Sequence, residues 1–338
     1  MENFLVYLST KKILVLFLFF FSILLGHAYI MYKHYDFSHS VPDTQSYIRM
    51  AEGDFATNPT HRYRPIIPLT VFVVNSVVEK GFSAILSKQA EQNSTKSIQF
   101  CFFIVNTVLM AFWAVLLYLI ARKYTSKILI AVVVVSLVLS SQWAAYIAGL
   151  PLVDSLYLLL STLLVLGYLD KNYTYISVAV LIGAISKEAF LLFLPLVLLY
   201  DYKLKTWLLL ASSIVVFWCN KGVIDYCIDK PTNESIDNIL RHQENIMFTM
   251  KHLFSLKGMG DMLQVWGLAS ILIPLSLLDR KYTKSVLNSV DWFLVGFVVM
   301  VGVQMLISGV PGRMLYIASP VFVIVMVRLL EYYSKEWK

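Results

Sequence analysis

Ile66-Ile-Pro68-Leu-Thr-Val-Phe-Val-Val-Asn75-Ser-Val-Val-Glu79-Lys80-Gly-Phe-Ser-Ala-Ile-Leu86 is apolar enough to cross a membrane, and whether it does so decides the topology of every later segment. If it spans, each following loop inverts and the basic clusters fall outside. If it does not, the short loops sort by charge. With Lys11 and Lys12 in the cytoplasm, the inner loops then hold Arg122, Lys123 and Lys127, then Lys171, Lys203 and Lys205, then Arg280, Lys281 and Lys284, and finally Lys335 and Lys338. The outer turns Ala148 to Pro151 and Gly309 to Gly312 carry no Lys or Arg. Basic residues concentrate in short cytoplasmic loops, so this arrangement is the favoured one. Glu79-Lys80 inside the stretch and Pro65 and Pro68 at its start agree. We read it as an interfacial or re-entrant helix within one long outer loop, roughly 33–97.

Composition gives the setting. The chain has 338 residues, 58% hydrophobic and only 14% charged, with mean hydropathy +0.70. Soluble domains carry about 25% charged residues, so an integral membrane protein is expected, all-α and polytopic. The net charge of +7 is what cytoplasmic loops and anionic lipid headgroups account for, and needs no nucleic acid. Apolar runs predict about ten transmembrane helices, near 12–32, 98–121, 127–147, 151–169, 173–187, 188–201, 205–223, 263–279, 290–309 and 313–331. The first continues from Ile13 past Gly26-His27-Ala28 to Met31, which reads as an uncleaved span more than as a signal peptide. A second outer loop, roughly 224–262, has Ile236, Ile239, Leu240, Ile246, Met247, Met250, Leu253 and Phe254 at helical spacing, as in a helix lying in the interface. Residues 1–338 form a single transmembrane domain. Cys101, Cys219 and Cys227 are too few and scattered for a metal site or a disulfide framework. Asn93-Ser-Thr and Asn233-Glu-Ser fit the glycan acceptor triplet, which is common by chance. The Tyr, Trp and Phe residues at helix ends read mostly as an aromatic belt.

In this topology Asp43, His61, Arg62, Arg64, Asp154, Lys187, Glu188 and Arg313 all emerge at one face. Ionisable groups at membrane helix ends are costly to desolvate, and their convergence argues for a polar site. Each has a plainer reading. Asp43 after Pro42 suits an N-cap, or equally a general base for an acceptor hydroxyl. Asp154 in Gly149-Leu-Pro-Leu-Val-Asp154-Ser155 sits where a helix dipole favours an acid, although Ser155 caps at lower cost. Lys187-Glu188 interrupts the apolar run Tyr173 to Tyr200, either as a local ion pair or as Lys187 holding an anionic phosphate with Glu188 orienting it. His61-Arg62-Tyr63-Arg64-Pro65 grips a phosphate or pyrophosphate, or anchors a helix to headgroups. Arg313 opens the last span at the outer face, where a basic residue is out of place without an anionic partner.

These positions, in order, resemble the GT-C superfamily of polytopic glycosyltransferases that use polyprenyl-phosphate sugar donors, among them protein O-mannosyltransferases and the transferases that add aminoarabinose to lipid A. Pro42-Asp43-Thr-Gln-Ser-Tyr47 is similar to the first-loop acidic motif that supplies the base. Arg62-Tyr-Arg64-Pro65-Ile-Ile-Pro68-Leu resembles the basic start of a juxtamembrane helix. Leu152-Val-Asp154-Ser-Leu-Tyr resembles the acidic start of a later span. Ile185-Ser-Lys187-Glu188-Ala, followed by Leu194-Pro195, looks like the lysine-bearing break that contacts lipid phosphate. Gly312-Arg313-Met-Leu-Tyr-Ile-Ala-Ser-Pro320 is similar to the closing helix. The chain departs from the pattern in having a single first-loop Asp, in Glu188 where several relatives have a small residue, and in lacking the C-terminal soluble domain many carry.

The resemblance implies an inverting glycosyltransferase at the outer face. Asp43 would be the base and Asp154 an assisting acid. Arg62, Arg64, Lys187 and Arg313 would bind donor phosphate, supported by His61 and Glu188. Its partners would be a polyprenyl-phosphate sugar, a glycan, lipid or protein acceptor, and membrane lipid. No cofactor is certain, and a divalent cation is left open. A short chain without an evident retention signal points to a bacterial inner membrane, with the active site facing away from the cytoplasm. A lipid or solute transporter, and a glycan-repeat polymerase or ligase using a pyrophosphate-linked donor, are the alternatives. Transporters tend to show repeated halves and midplane charges, which this sequence lacks.

Overall fold

The computed structural model describes residues 10–35, 42–83, 94–228, 235–267, 269–276 and 278–336, and every regular element among them is a helix. In chain order these are α1 (Thr10–His34), α2 (Pro42–Ala51), α3 (Pro59–Arg62), α4 (Ile66–Ser83), α5 (Ser94–Tyr124), α6 (Ile128–Leu139), α7 (Gln142–Gly149), α8 (Asp154–Leu169) and α9 (Tyr173–Ser186). A 3-10 turn over Glu188–Phe193 leads into α10 (Leu194–Val197). Then come α11 (Leu204–Ile228), α12 (Ser235–Leu253), α13 (Leu256–Gln264), α14 (Ala269–Ser276), α15 (Arg280–Leu287), α16 (Trp292–Ser308), α17 (Pro311–Leu315) and, after a 3-10 turn over Tyr316–Ala318, α18 (Ser319–Glu336).

The expected ten spans become fewer. Four helical segments among the described residues are long and apolar enough to cross a membrane: Lys11–His34, Lys96–Tyr124, Leu204–Ile228 and Pro311–Ser334. They coincide with the first, second, seventh and tenth expected spans and are consistent with an integral membrane protein. A fifth counts only if α6 and α7 form one span bent by 67°. The others fall short for a physical reason. A straight span needs about 20 residues at 1.5 Å each, whereas α8, α9 and α16 have 16, 14 and 17. The stretch 188–201 is a 3-10 turn and a four-residue helix, and 263–279 is split between the end of α13 and the eight residues of α14. The described part of that stretch forms a helix, α4, ending at Ser83, whose apolar part is short, Ile66–Val78. α1 runs unbroken through Gly26-His27-Ala28. Asn93 and Asn233 lie outside the described residues.

The expected span 127–147 breaks because Ser140-Ser141 offers the backbone an alternative to continuing. The Ser140 hydroxyl donates back to the Leu137 carbonyl at 2.8 Å, and the Ser141 hydroxyl accepts from Trp143 N–H at 3.2 Å, capping a new helix. Hydropathy averages over such a pair and does not register it.

α5 is the central helix, packed against α1, α4, α6, α7, α8 and α18. Its apolar stretch is 67% buried and that of Pro311–Ser334 is 72%, against 17% for α1 and 22% for α11, which places the first two inside and the other two at the periphery. α11 meets the rest chiefly through α9 and leaves Trp207, Leu208, Val215, Trp218 and Val223 exposed, as a lipid-facing surface would. On α12 and just beyond it, Met247, Met250 and Phe254 are likewise uncovered. Several aromatic residues are not belt residues at all. Trp113 is fully buried and donates to Thr162 at 2.8 Å, and Tyr316 is buried and donates to the Val138 carbonyl at 2.8 Å. All three cysteines are free thiols.

Candidate functional site

Asp154 is the pivot. Its helix, α8, has Val153 at the N-cap with no side-chain capping bond, so the carboxylate is not serving as a cap. The turn before it is held instead by Asn106 of α5. That amide donates to the carbonyls of Leu150 at 2.8 Å and Leu152 at 3.0 Å, while its oxygen accepts from Ser155 at 2.6 Å. Asp154 is thus left to accept from Lys187 Nζ at 2.7 Å, with both side chains 7% exposed. The two residues are 33 positions apart in sequence, yet the turn at Pro151 and the break after Ser186 meet at one place.

Lys187 reaches Asp154 because the backbone changes course there. α9 ends at Ser186, and Lys187 takes extended backbone before the 3-10 turn begins. The Phe190 ring folds back onto Gly183, where an added Cβ would meet it at 2.6 Å, so glycine is required for this reversal. Lys187 and Glu188 therefore do not pair with each other. Lys187 turns inward to Asp154 and lies 5.2 Å over the Tyr157 ring. Glu188 turns to Arg64, whose Nε donates at 2.8 Å in a two-point ion pair. The remaining Arg64 nitrogen donates to Tyr47 Oη at 2.7 Å.

Asp43, in the first turn of α2, accepts from His61 Nε2 at 2.9 Å. In the tautomer that donates there, Nδ1 accepts from the Ser46 hydroxyl at 3.1 Å. Arg313 sits between the two acids, 3.5 Å from Asp43 and 3.9 Å from Asp154. Both separations exceed good hydrogen-bond distances, and the buried Arg313 Nε has no partner among the described residues. Among the cations of the cluster, Arg313 is thus held by charge alone. Burial pushes the Asp43 carboxyl up, but the His61 hydrogen bond and the charges of Arg313, His61 and Arg64 outweigh it and hold Asp43 well below the usual carboxylate range. Burial also lifts the Tyr47 hydroxyl well above its ordinary value, with Arg64 opposing.

Of the eight residues singled out from sequence, His61, Asp43, Arg313, Asp154 and Lys187 form one chain of contacts, and Arg64 and Glu188 form a separate pair beside it. Arg62 goes elsewhere. Its guanidinium is 3.7 Å from Asp225 of α11, which also accepts from the Tyr63 hydroxyl at 2.7 Å. Arg62 and Arg64 therefore engage different acids, and the paired grip expected from Arg62-Tyr-Arg64 is not formed. Asp225 carries no motif, and only the fold brings it there.

A cleft of about 250 Å³ opens beside Asp43 and Arg313, lined also by Met31, Gln142, Trp143, Tyr146 and Val310. Among the described residues no group of three His, Cys, Asp or Glu side chains converges to hold a metal ion. Comparison with protein-family models, curated proteins and solved structures returns no match.

Proposed function

We propose that the chain is an inverting glycosyltransferase of the GT-C type, which moves a sugar from a polyprenyl phosphate to an acceptor hydroxyl at the non-cytoplasmic face of a membrane. The observation that carries the reading is Arg313. A cation shared by two carboxylates at the rim of a cleft, and hydrogen-bonded to neither, is poised to change partners.

A lipid-borne sugar phosphate carries its reacting carbon at the headgroup layer, so groups that act on it belong at helix ends. As the bond from the anomeric carbon to the phosphate oxygen breaks, the electron pair stays on the phosphate. Arg313 and Lys187 would stabilise the charge that develops there. On the other side of the sugar the acceptor oxygen attacks the anomeric carbon and its proton passes to Asp43. Asp43 paired to Arg313 is a weak base. Drawing Arg313 onto the donor phosphate removes that counter-charge and raises its basicity, which couples donor binding to acceptor activation. Asp154 holds Lys187 in place, and His61 fixes the Asp43 carboxylate against Ser46. The separate partners of Arg62 and Arg64 favour a monophosphate over a pyrophosphate donor. A site facing away from the cytoplasm, in a bacterial inner membrane, is part of this reading and rests on the sequence alone.

The test is transfer from polyprenyl-phosphate sugars by membranes holding the wild-type chain or Asp43→Asn. Loss of transfer with unchanged expression and insertion is expected; near-normal turnover in the variant would remove Asp43 as the base.

A further inference from the structure

We propose that the cleft beside Asp43 is a carbohydrate subsite, in which one sugar ring lies against Trp143 and presents a hydroxyl to Asp43. This deepens the transferase reading by naming the acceptor class as a glycan, and it rests on that reading for the reaction though not for binding.

None of the α7 residues that line the cleft stands out in the sequence. Trp143 and Tyr146 are three apart on α7, hence on one face, and their rings meet edge to face with centroids 5.6 Å apart. Tyr35 packs edge-on to Tyr146 from the other side, at 6.4 Å. The helix carrying them is pinned. The Ser141 hydroxyl donates to the Val265 carbonyl at 2.6 Å as well as capping α7. Trp143 is clamped against α17, where a Cβ on Gly312 would lie 3.1 Å from the indole Nε1.

A pyranose uses both the aromatic wall and the ionised groups beside it. Its C–H face is apolar and its rim carries hydroxyls that donate and accept. A Trp side chain supplies a broad apolar platform with few rotatable bonds to freeze. Around it the carboxylate of Asp43 only accepts, the guanidinium of Arg313 only donates, and the amide of Gln142 does either, which matches a set of sugar hydroxyls. Other ligands fit less well. An acyl chain would cover the ionised Asp43 and Arg313 while offering Arg313 no hydrogen-bond acceptor, a costly outcome. A simple anion would engage Arg313 but make no use of the Trp143 face. The volume of about 250 Å³ lies below the usual range of about 300–1,000 Å³ for ligand pockets, which suits a single ring more than an extended chain.

The experiment titrates the full-length chain in detergent with methyl hexopyranosides and pentopyranosides, and with acyclic sorbitol as the control, reading saturation-transfer NMR of the ligand. At least one methyl glycoside is expected to bind saturably while sorbitol does not. Trp143→Leu is expected to weaken that binding about tenfold or more, and Trp143→Phe, which keeps a flat ring, by less. Gln142→Ala, an exposed position, carries the test if Trp143→Leu does not fold, with binding about threefold weaker as the expected result. The proposal is overturned if no glycoside in the panel binds, if sorbitol binds as well as the best glycoside, or if every folded variant binds as wild type. The two readings fail separately. Glycoside binding that needs Trp143, with no transfer from any polyprenyl-phosphate sugar, keeps the subsite and removes the transferase. Transfer to a lipid or protein acceptor at the wild-type rate in Trp143→Leu keeps the transferase and removes the subsite.

Discussion

The two ends of α8 each carry an aspartate paired to a lysine, and they differ in everything else. At the start, Asp154 binds Lys187 with both side chains 7% exposed, shares Arg313 with Asp43, and lies one residue contact from an open cleft. At the finish, about 24 Å away along 16 residues, Asp170 is the C-cap and pairs with Lys123 of α5, each 21% exposed. Near it Lys127 donates to Ser334 at 2.9 Å and Thr125 to Glu331, tying α5 and the start of α6 to α18. Among the described residues Lys123 and Asp170 each have one ion-pair partner. An ion pair at a helix end is thus ordinary scaffolding. What marks the Asp154 end is a cation divided between two acids and a space beside it.

The comparison can be broken by substitution. The largest effect is expected at Arg313: Arg313→Gln should lower turnover by about 10²–10³-fold at temperatures where the variant is still folded, since the residue stabilises developing charge. A rate within a fewfold of wild type would place the phosphate elsewhere. Next comes the buried pair. Lys187→Met leaves Asp154 buried without its nearest counter-charge and should destabilise the fold by about 3–5 kcal/mol in thermal or denaturant unfolding. The double variant Asp154→Leu/Lys187→Met should recover much of that stability and none of the transfer. Recovery of both would reduce the pair to scaffold, like its counterpart at the other end.

A smaller effect depends on pH. Asp43 titrates below the ordinary carboxylate range in the folded chain. Its pairing therefore stabilises the fold above the unfolded value of about 3.9, and the contribution is lost as pH falls through the lower, folded value. The melting temperatures of wild type and Asp43→Asn should differ most, and by a level amount, above about pH 5, and draw together progressively as pH falls below about 4 toward the folded value. A gap that stays constant with pH would mean that the carboxylate charge is not what the network uses. The smallest effect is expected at the far end, where Lys123→Met should cost about 1 kcal/mol or less and leave transfer unchanged.

Much of the site was legible because charge in an apolar sequence is expensive and therefore conspicuous. Asp154, Lys187 and Arg313 could be picked out by being where they are least comfortable, and they meet. The helical class followed from apolar runs, but their number did not. Hydropathy gives the mean character of a stretch and is blind to a two-serine cap such as Ser140-Ser141 or to a reversal built on Gly183 and Phe190. Arg62 and Arg64 looked like a pair because they are two apart, yet the short turn between α3 and α4 sends them to acids on different elements. Trp143 and Tyr146 passed for belt residues, since position in an aromatic-rich chain does not say which rings face lipid and which face a cleft. Asn106, a single amide within a long apolar helix, was readable in principle, because a buried amide must find partners.

The most direct measurement is the stereochemical outcome with the purified full-length chain and a polyprenyl-phosphate sugar of defined anomer. A single displacement with Asp43 opposite the leaving phosphate gives a product of inverted configuration and one polyprenyl phosphate released per sugar moved. Retained configuration, or no sugar released from any polyprenyl-phosphate donor, would contradict it.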